Sequence, residues 1–109
     1  MIYLAIPYTY DTAKSFEIAN KVSAKLMSEG HVVFSPISHS HSIADHLHPN
    51  LRTDQEFWMR QDIPMLEKCD EVYLVYTGDY NLIQNSKGVQ QELARARELK
   101  LPVTLYHYE

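Results

Sequence analysis

The sequence predicts an α/β fold, a flavodoxin-like three-layer sandwich whose four-stranded parallel sheet runs in the order 2-1-3-4. Three observations point to it. Short continuous apolar runs, above all Ile2-Tyr3-Leu4-Ala5-Ile6 and Val72-Tyr73-Leu74-Val75-Tyr76, lack the polar alternation of a half-exposed strand and read as strands covered on both faces. Between the runs lie stretches whose apolar residues recur with helical period. The two kinds of segment alternate along the chain, which means βαβ units, a parallel sheet and right-handed crossovers.

The elements follow in order. After the first strand, Pro7-Tyr8-Thr9-Tyr10 breaks the run, and Asp11 or Thr12 is placed to cap a helix reaching roughly Ser28. Ala19, Val22 and Leu26 form its inner stripe, and Gly30 is the expected stop. His31-Val32-Val33-Phe34 is the second strand. Ser35 to Thr53 reads as a long polar loop with Pro36, Pro49 and four histidines, and a loop of that length in a compact domain usually carries function. Thr53 or Asp54 starts a helix through Phe57, Trp58 and Met59. Pro64 either kinks that helix or marks the first turn of a second one. Glu71 to Tyr76 is the third strand, Thr77 to Asn85 a polar loop, Ser86 to Lys100 a helix, and Pro102 to Tyr106 the fourth strand.

With 109 residues, of which 45% are hydrophobic, the chain is expected to make one domain (1–109) with a real core. A net charge of −4 argues against a nucleic-acid polymer as partner, since such binders carry a basic surface. The single cysteine, Cys69, has no internal disulfide partner, so a reducing compartment is the default. No apolar run approaches the ~18 residues of a membrane span, and the N-terminus lacks the signature of a signal peptide. A cytoplasmic protein with no membrane partner is expected. Four strands leave a sheet edge open, so a homo-oligomer is expected as well.

Ligands of such sheets lie beyond the C-terminal strand ends, at the switch point between strands 1 and 3. Three segments converge there: Pro7 to Asp11, Ser35 to Thr53 and Thr77 to Ser86. Glu92 lies about one and a half turns inside the helix that begins at Ser86, close to its buried stripe of Val89, Leu93 and Ala96. An arbitrary helix glutamate is solvated. Here Gly88, one turn earlier, opens space above the carboxylate at a helix-propensity cost of ~1 kcal/mol, and the predicted crevice is adjacent. Asp62 reads first as an N-cap for the turn at Ile63-Pro64, a role compatible with facing a pocket. Ser86 at a helix N-terminus suits a phosphate. Trp58 and Phe57 have the shape to stack on a base, although aromatics at helical spacing more often pack in the core. His39, His41, His46 and His48 form two His-x-His pairs with Asp45 between them. That pattern is common, no cysteine joins it, and no metal is expected. A polar lid over the site, with Ser38 and His39 bonding a substrate hydroxyl or phosphate, is the simpler reading.

Three segments carry a resemblance. Tyr3-Leu4-Ala5 before a turn, Asp62 to Val72 with Leu66 and Asp70-Glu71 at fixed spacing, and Ser86-Lys87-Gly88-Val89-Gln90-Gln91-Glu92-Leu93-Ala94-Arg95-Ala96 together resemble the nucleoside 2-deoxyribosyltransferase-like superfamily, in the right order over most of the chain. The Ser35-Pro36-Ile37-Ser38-His39 stretch resembles a small branch of it. The resemblance implies cleavage of the N-glycosidic bond of a (deoxy)nucleoside or its 5′-monophosphate, without a cofactor. It makes Glu92 the nucleophile that forms a glycosyl-enzyme ester, Asp62 the residue that holds the sugar and assists, and Tyr8, or else Tyr10, the tyrosine that orients the glutamate. An oxocarbenium-like centre fits a carboxylate on one face and a proton source on the other. The transferase branch carries an aspartate where this chain has Ser86. A serine there resembles the monophosphate N-hydrolase branch, whose Gly- and Arg-rich loop after strand 1 is replaced here by Ile6-Pro7-Tyr8-Thr9-Tyr10. Hydrolysis and base exchange both stay open. So does a non-catalytic module binding a nucleoside or nucleotide as its small-molecule partner, and a metal-dependent hydrolase built on the histidines is a third reading.

Overall fold

The structure, a computed structural model, describes residues 1–7 and 12–108. Its elements are β1 (Ile2–Ala5), α1 (Thr12–Ser28), β2 (Val33–Phe34), α2 (Pro36–Ala44), α3 (Pro49–Arg52), α4 (Gln55–Leu66), β3 (Glu71–Tyr76), α5 (Tyr80–Asn85), α6 (Lys87–Glu98) and β4 (Val103–His107). The four strands pair in parallel in the order β2-β1-β3-β4, the flavodoxin-like arrangement.

The pleat of β1 sorts the core into two layers. Ile2 and Leu4 pack with Ile18, Ala19, Val22 and Leu26 of α1. Tyr3 and Ala5 turn the other way and pack with Leu66 of α4 and with Val89 and Ala96 of α6. Both faces of the strand are covered, which is why its sequence has no polar alternation. Tyr3 is the largest fully buried side chain, and a buried phenol needs a partner for its hydroxyl. The register of β1 therefore delivers an O–H group to the layer that holds α6.

Helix ends explain the joints. At the end of α1, Gly30 takes φ 97° and the His31 N–H donates to the Leu26 carbonyl at 3.0 Å. The end of α6 repeats this motif with Lys100 at φ 59° and the Leu101 N–H donating to the Ala96 carbonyl at 2.9 Å. The first closure was visible as a glycine; the second uses a residue that resists the left-handed region.

Two segments expected as loops hold helices. Ser35 caps α2 by accepting from the Ser38 N–H at 3.3 Å, with Pro36 in the first turn. His48 caps α3 by accepting from the Asn50 N–H at 3.2 Å, and Pro49 opens that turn. Both use proline where its missing N–H costs nothing. Only Pro36 and Ile37 of α2 are buried, so the helix has almost no apolar stripe for a periodicity argument to find. Asp79 likewise caps the short α5, accepting from the Asn81 N–H at 3.0 Å. Pro64 lies inside α4, which continues to Leu66, and Asp54 is its N-cap. Asp62 is thus an interior helix residue rather than the cap of a second helix. Among the described residues no helix is long and apolar enough to cross a membrane.

Candidate active site

A cavity of about 650 Å³ lies at the C-terminal end of β1, where Leu4 and Ile6 form its base. One side is α2, and the other is α4 with the N-terminus of α6. This is the switch point of the sheet, as the strand order requires.

Glu92 and Asp62 both line the cavity, and both are buried, at 6% and 8% exposure. Glu92 sits in the second turn of α6, and the Tyr3 hydroxyl donates to its Oε2. That bond spans the sheet-to-helix interface and leaves Oε1 for other partners. Burial pushes the Glu92 carboxyl up to about 8. The Tyr3 hydrogen bond opposes this, and the nearby Asp62 charge adds to it. Burial alone raises Asp62 to about 6. Burial, and then the Glu92 and Asp62 charges, hold the Tyr3 phenol far above its ordinary range, so it stays a donor. Among the described residues neither carboxylate has a cation within ion-pair distance. Two buried acids without a counter-cation are costly for folding, and such arrangements concentrate at functional sites.

The remaining expected residues divide. Ser86 lines the cavity and caps α6, its Oγ accepting from the Val89 N–H at 3.3 Å while its own O–H stays available. Gly88 also lines it, and a Cβ there would meet Gln55 Nε2 at 3.0 Å and Met59 Cε at 3.8 Å. The glycine therefore lets α4 and α6 approach as well as opening space. Trp58 lines the cavity too. Its indole N–H donates to the Arg52 carbonyl at 2.9 Å, and its ring meets Phe57 edge-on at 5.0 Å.

Ser38 and His39 do not line the cavity. As part of a loop they were expected there, but α2 turns Ile37, Ser40, His41 and Ala44 inward at helical spacing and rotates Ser38 and His39 away. Among the described residues the buried Ser38 hydroxyl has no hydrogen-bond partner, and His39 is exposed beside the Phe34 ring at 5.7 Å. Tyr8 and Tyr10 lie outside the described residues. The tyrosine seen holding Glu92 is Tyr3, which the apolar reading of β1 absorbed into the core. Its hydroxyl in an otherwise aliphatic strand was the available signal. Ser40, His41, Gln55, Arg52 and Lys87 are further lining residues that sequence reasoning did not select as site residues. His41 also stacks on Phe16 at 4.3 Å. Among the described residues, no three His, Cys, Asp or Glu side chains gather as a metal site.

The family model described as a domain of unknown function, DUF1937, matches residues 1–108. The chain belongs to that family. No curated protein matches it. Among solved structures, the DUF1937 chain is similar to a 2-deoxyribosyltransferase from the psychrotolerant bacterium Bacillus psychrosaccharolyticus. The TM-score is 0.68 at 24% identity, covering 97% of this chain and 71% of that one. The DUF1937 chain thus has a nucleoside 2-deoxyribosyltransferase-like fold.

Proposed function

We propose that this protein is an enzyme that cleaves the N-glycosidic bond of a nucleoside or nucleoside 5′-monophosphate through a glycosyl ester on Glu92. The observation that carries the reading is the meeting of two buried carboxylates in one cavity, one of them held from beneath by a buried phenol. The shared fold with a 2-deoxyribosyltransferase supports it.

In the proposed reaction Glu92 Oε1 attacks the anomeric carbon while Tyr3 fixes Oε2. The electrons of the C–N bond leave with the base, which takes up a proton. Asp62 binds a sugar hydroxyl, and its raised pKa lets it carry that proton near pH 6. Water or a second base then opens the ester, with release of the free sugar or transfer to the new base. Trp58 offers an aromatic wall for the base and Ser86 a hydroxyl for the sugar or its phosphate. The four-stranded sheet leaves Val103 and Leu105 exposed at the β4 edge, where the expected homo-oligomer would form; sedimentation of the purified protein tests this.

A chromatographic screen for free base across nucleosides and their 5′-monophosphates tests the reading. Release is expected with some member of the panel and is abolished in Glu92→Ala and Glu92→Gln. A complete panel without release or exchange rejects it. One observation favours a second reading, a binding module without turnover: Glu92 is buried with no cation within ion-pair distance among the described residues, and burial favours its protonated, non-nucleophilic form. Ligand-induced thermal stabilisation without turnover, unchanged by Glu92→Gln, would select that reading.

A further inference from the structure

The buried charges of the cavity are acidic, Asp62 and Glu92, and its exposed lining includes two basic side chains. Arg52 and Lys87 both line it, and among the described residues neither forms an ion pair. Both are exposed, and among the described residues nothing fixes Lys87. Arg52 is different, because its position is built. Its Nε donates to the Leu47 carbonyl at 3.2 Å, and its Nη2 donates to the Asp45 carbonyl at 3.1 Å. Its own carbonyl accepts from the Trp58 indole at 2.9 Å. Two main-chain acceptors thus hold one edge of the guanidinium without neutralising it, and Nη1 is left over. Asp45 also lines the cavity, yet it meets Arg52 through its carbonyl and not its carboxylate.

A long side chain loses rotamer freedom when fixed in this way. Surface arginines usually spend that cost on a carboxylate, as Arg95 does with Glu67 and Glu98. Here the charge stays uncompensated and faces a ligand-sized space. Pockets of roughly 300–1,000 Å³ take small molecules, and about 650 Å³ leaves room beyond a nucleoside for a further group. A guanidinium held on one side and open on the other suits a phosphate oxygen by a charge-assisted hydrogen bond. Lys87, at the start of α6, lines the same cavity as a second positive charge.

We propose that Arg52 is a specificity residue that binds a phosphomonoester on the sugar, so that the substrate is the phosphorylated nucleoside and not the free one. Trp58 is a positioning residue for it, fixing through its indole N–H the turn that carries Arg52. This rests on the glycosidase reading for the chemistry, though the phosphate subsite itself does not need turnover.

Calorimetry with ribose 5-phosphate and ribose as probes tests it on the intact protein. Ribose 5-phosphate is expected to bind at least tenfold more tightly than ribose. Arg52→Gln should weaken ribose 5-phosphate about 10- to 100-fold, as loss of a charged hydrogen bond does, and leave ribose unchanged. Arg52→Lys should recover only part of the loss, because it keeps the charge without the fork. Trp58→Phe removes the indole donor to the Arg52 carbonyl and should lower the preference for ribose 5-phosphate over ribose, two probes that carry no base to meet the ring. Equal binding of the two probes, or a preference untouched by Arg52→Gln, overturns the proposal. Base release from free nucleosides as fast as from monophosphates would also overturn it while leaving the glycosidase reading intact. Arg52-dependent phosphate binding with no base release anywhere would do the opposite.

Discussion

Replacing Glu92 by Gln should make the protein more stable, and the gain should grow with pH. In the unfolded chain this carboxyl titrates near 4.5; in the fold burial moves it to about 8. Between those values the folded protein keeps a proton that the unfolded chain releases. The folded state therefore binds more protons, and stability falls as pH rises. The contribution is complete below pH 4.5 and lost above about 8. Each pH unit between the two titrations is worth about 1.36 kcal/mol, so the full span is on the order of 5 kcal/mol. The amide keeps the shape of the carboxyl and can still accept from Tyr3, but it does not titrate. The difference between Glu92→Gln and the parent should thus be near zero at pH 4.5 and several kcal/mol at pH 8.5. At several degrees per kcal/mol for a domain of this size, it would appear as a rise in Tm of ~10–20 °C. Denaturant melts of both proteins at half-unit pH intervals measure it, and charges common to both cancel in the difference. Parallel curves would refute the reasoning, because they would mean that Glu92 is solvated or paired in the fold.

Four further outcomes are expected. Tyr3→Phe removes the donor to Glu92 Oε2, so the carboxyl should titrate still higher, by NMR, and kcat should fall by about 10²-fold with little change in KM. The profile of kcat/KM against pH should be a bell with limbs near 6 and 8 belonging to the Asp62–Glu92 pair, and Asp62→Asn should remove one limb; a flat profile counts against the pair. Gly88→Ala should leave Tm equal or slightly higher, since the ~1 kcal/mol gain in helix propensity offsets a 3.0 Å contact with the flexible end of Gln55, while KM rises because the cavity narrows. Lys100→Gly should raise stability by up to ~1 kcal/mol in denaturant melts by relieving a side chain at φ 59°.

The layered sheet, its strand order and the place of Glu92 beside its C-terminal edge were legible in the residues, whereas Asp62 read locally as a cap and entered the site only through the family resemblance. The first three follow from local signals. Unbroken apolar runs need cover on both faces, α1 and α6 carry apolar stripes, and a parallel sheet puts its crevice where its order reverses. The tertiary structure decided what no local period encodes. A short helix held by a Ser-Pro start, with only Pro36 and Ile37 buried, rotated Ser38 and His39 out of the cavity and His41 into it. The meeting of Tyr3 with Glu92, 89 residues apart in the chain, depends on the strand register and on how α6 packs over it. The same packing, by burying both carboxylates without a cation, sets their proton affinities. Apolar pattern is a property of neighbours along the chain; desolvation and hydrogen bonding are properties of neighbours in space.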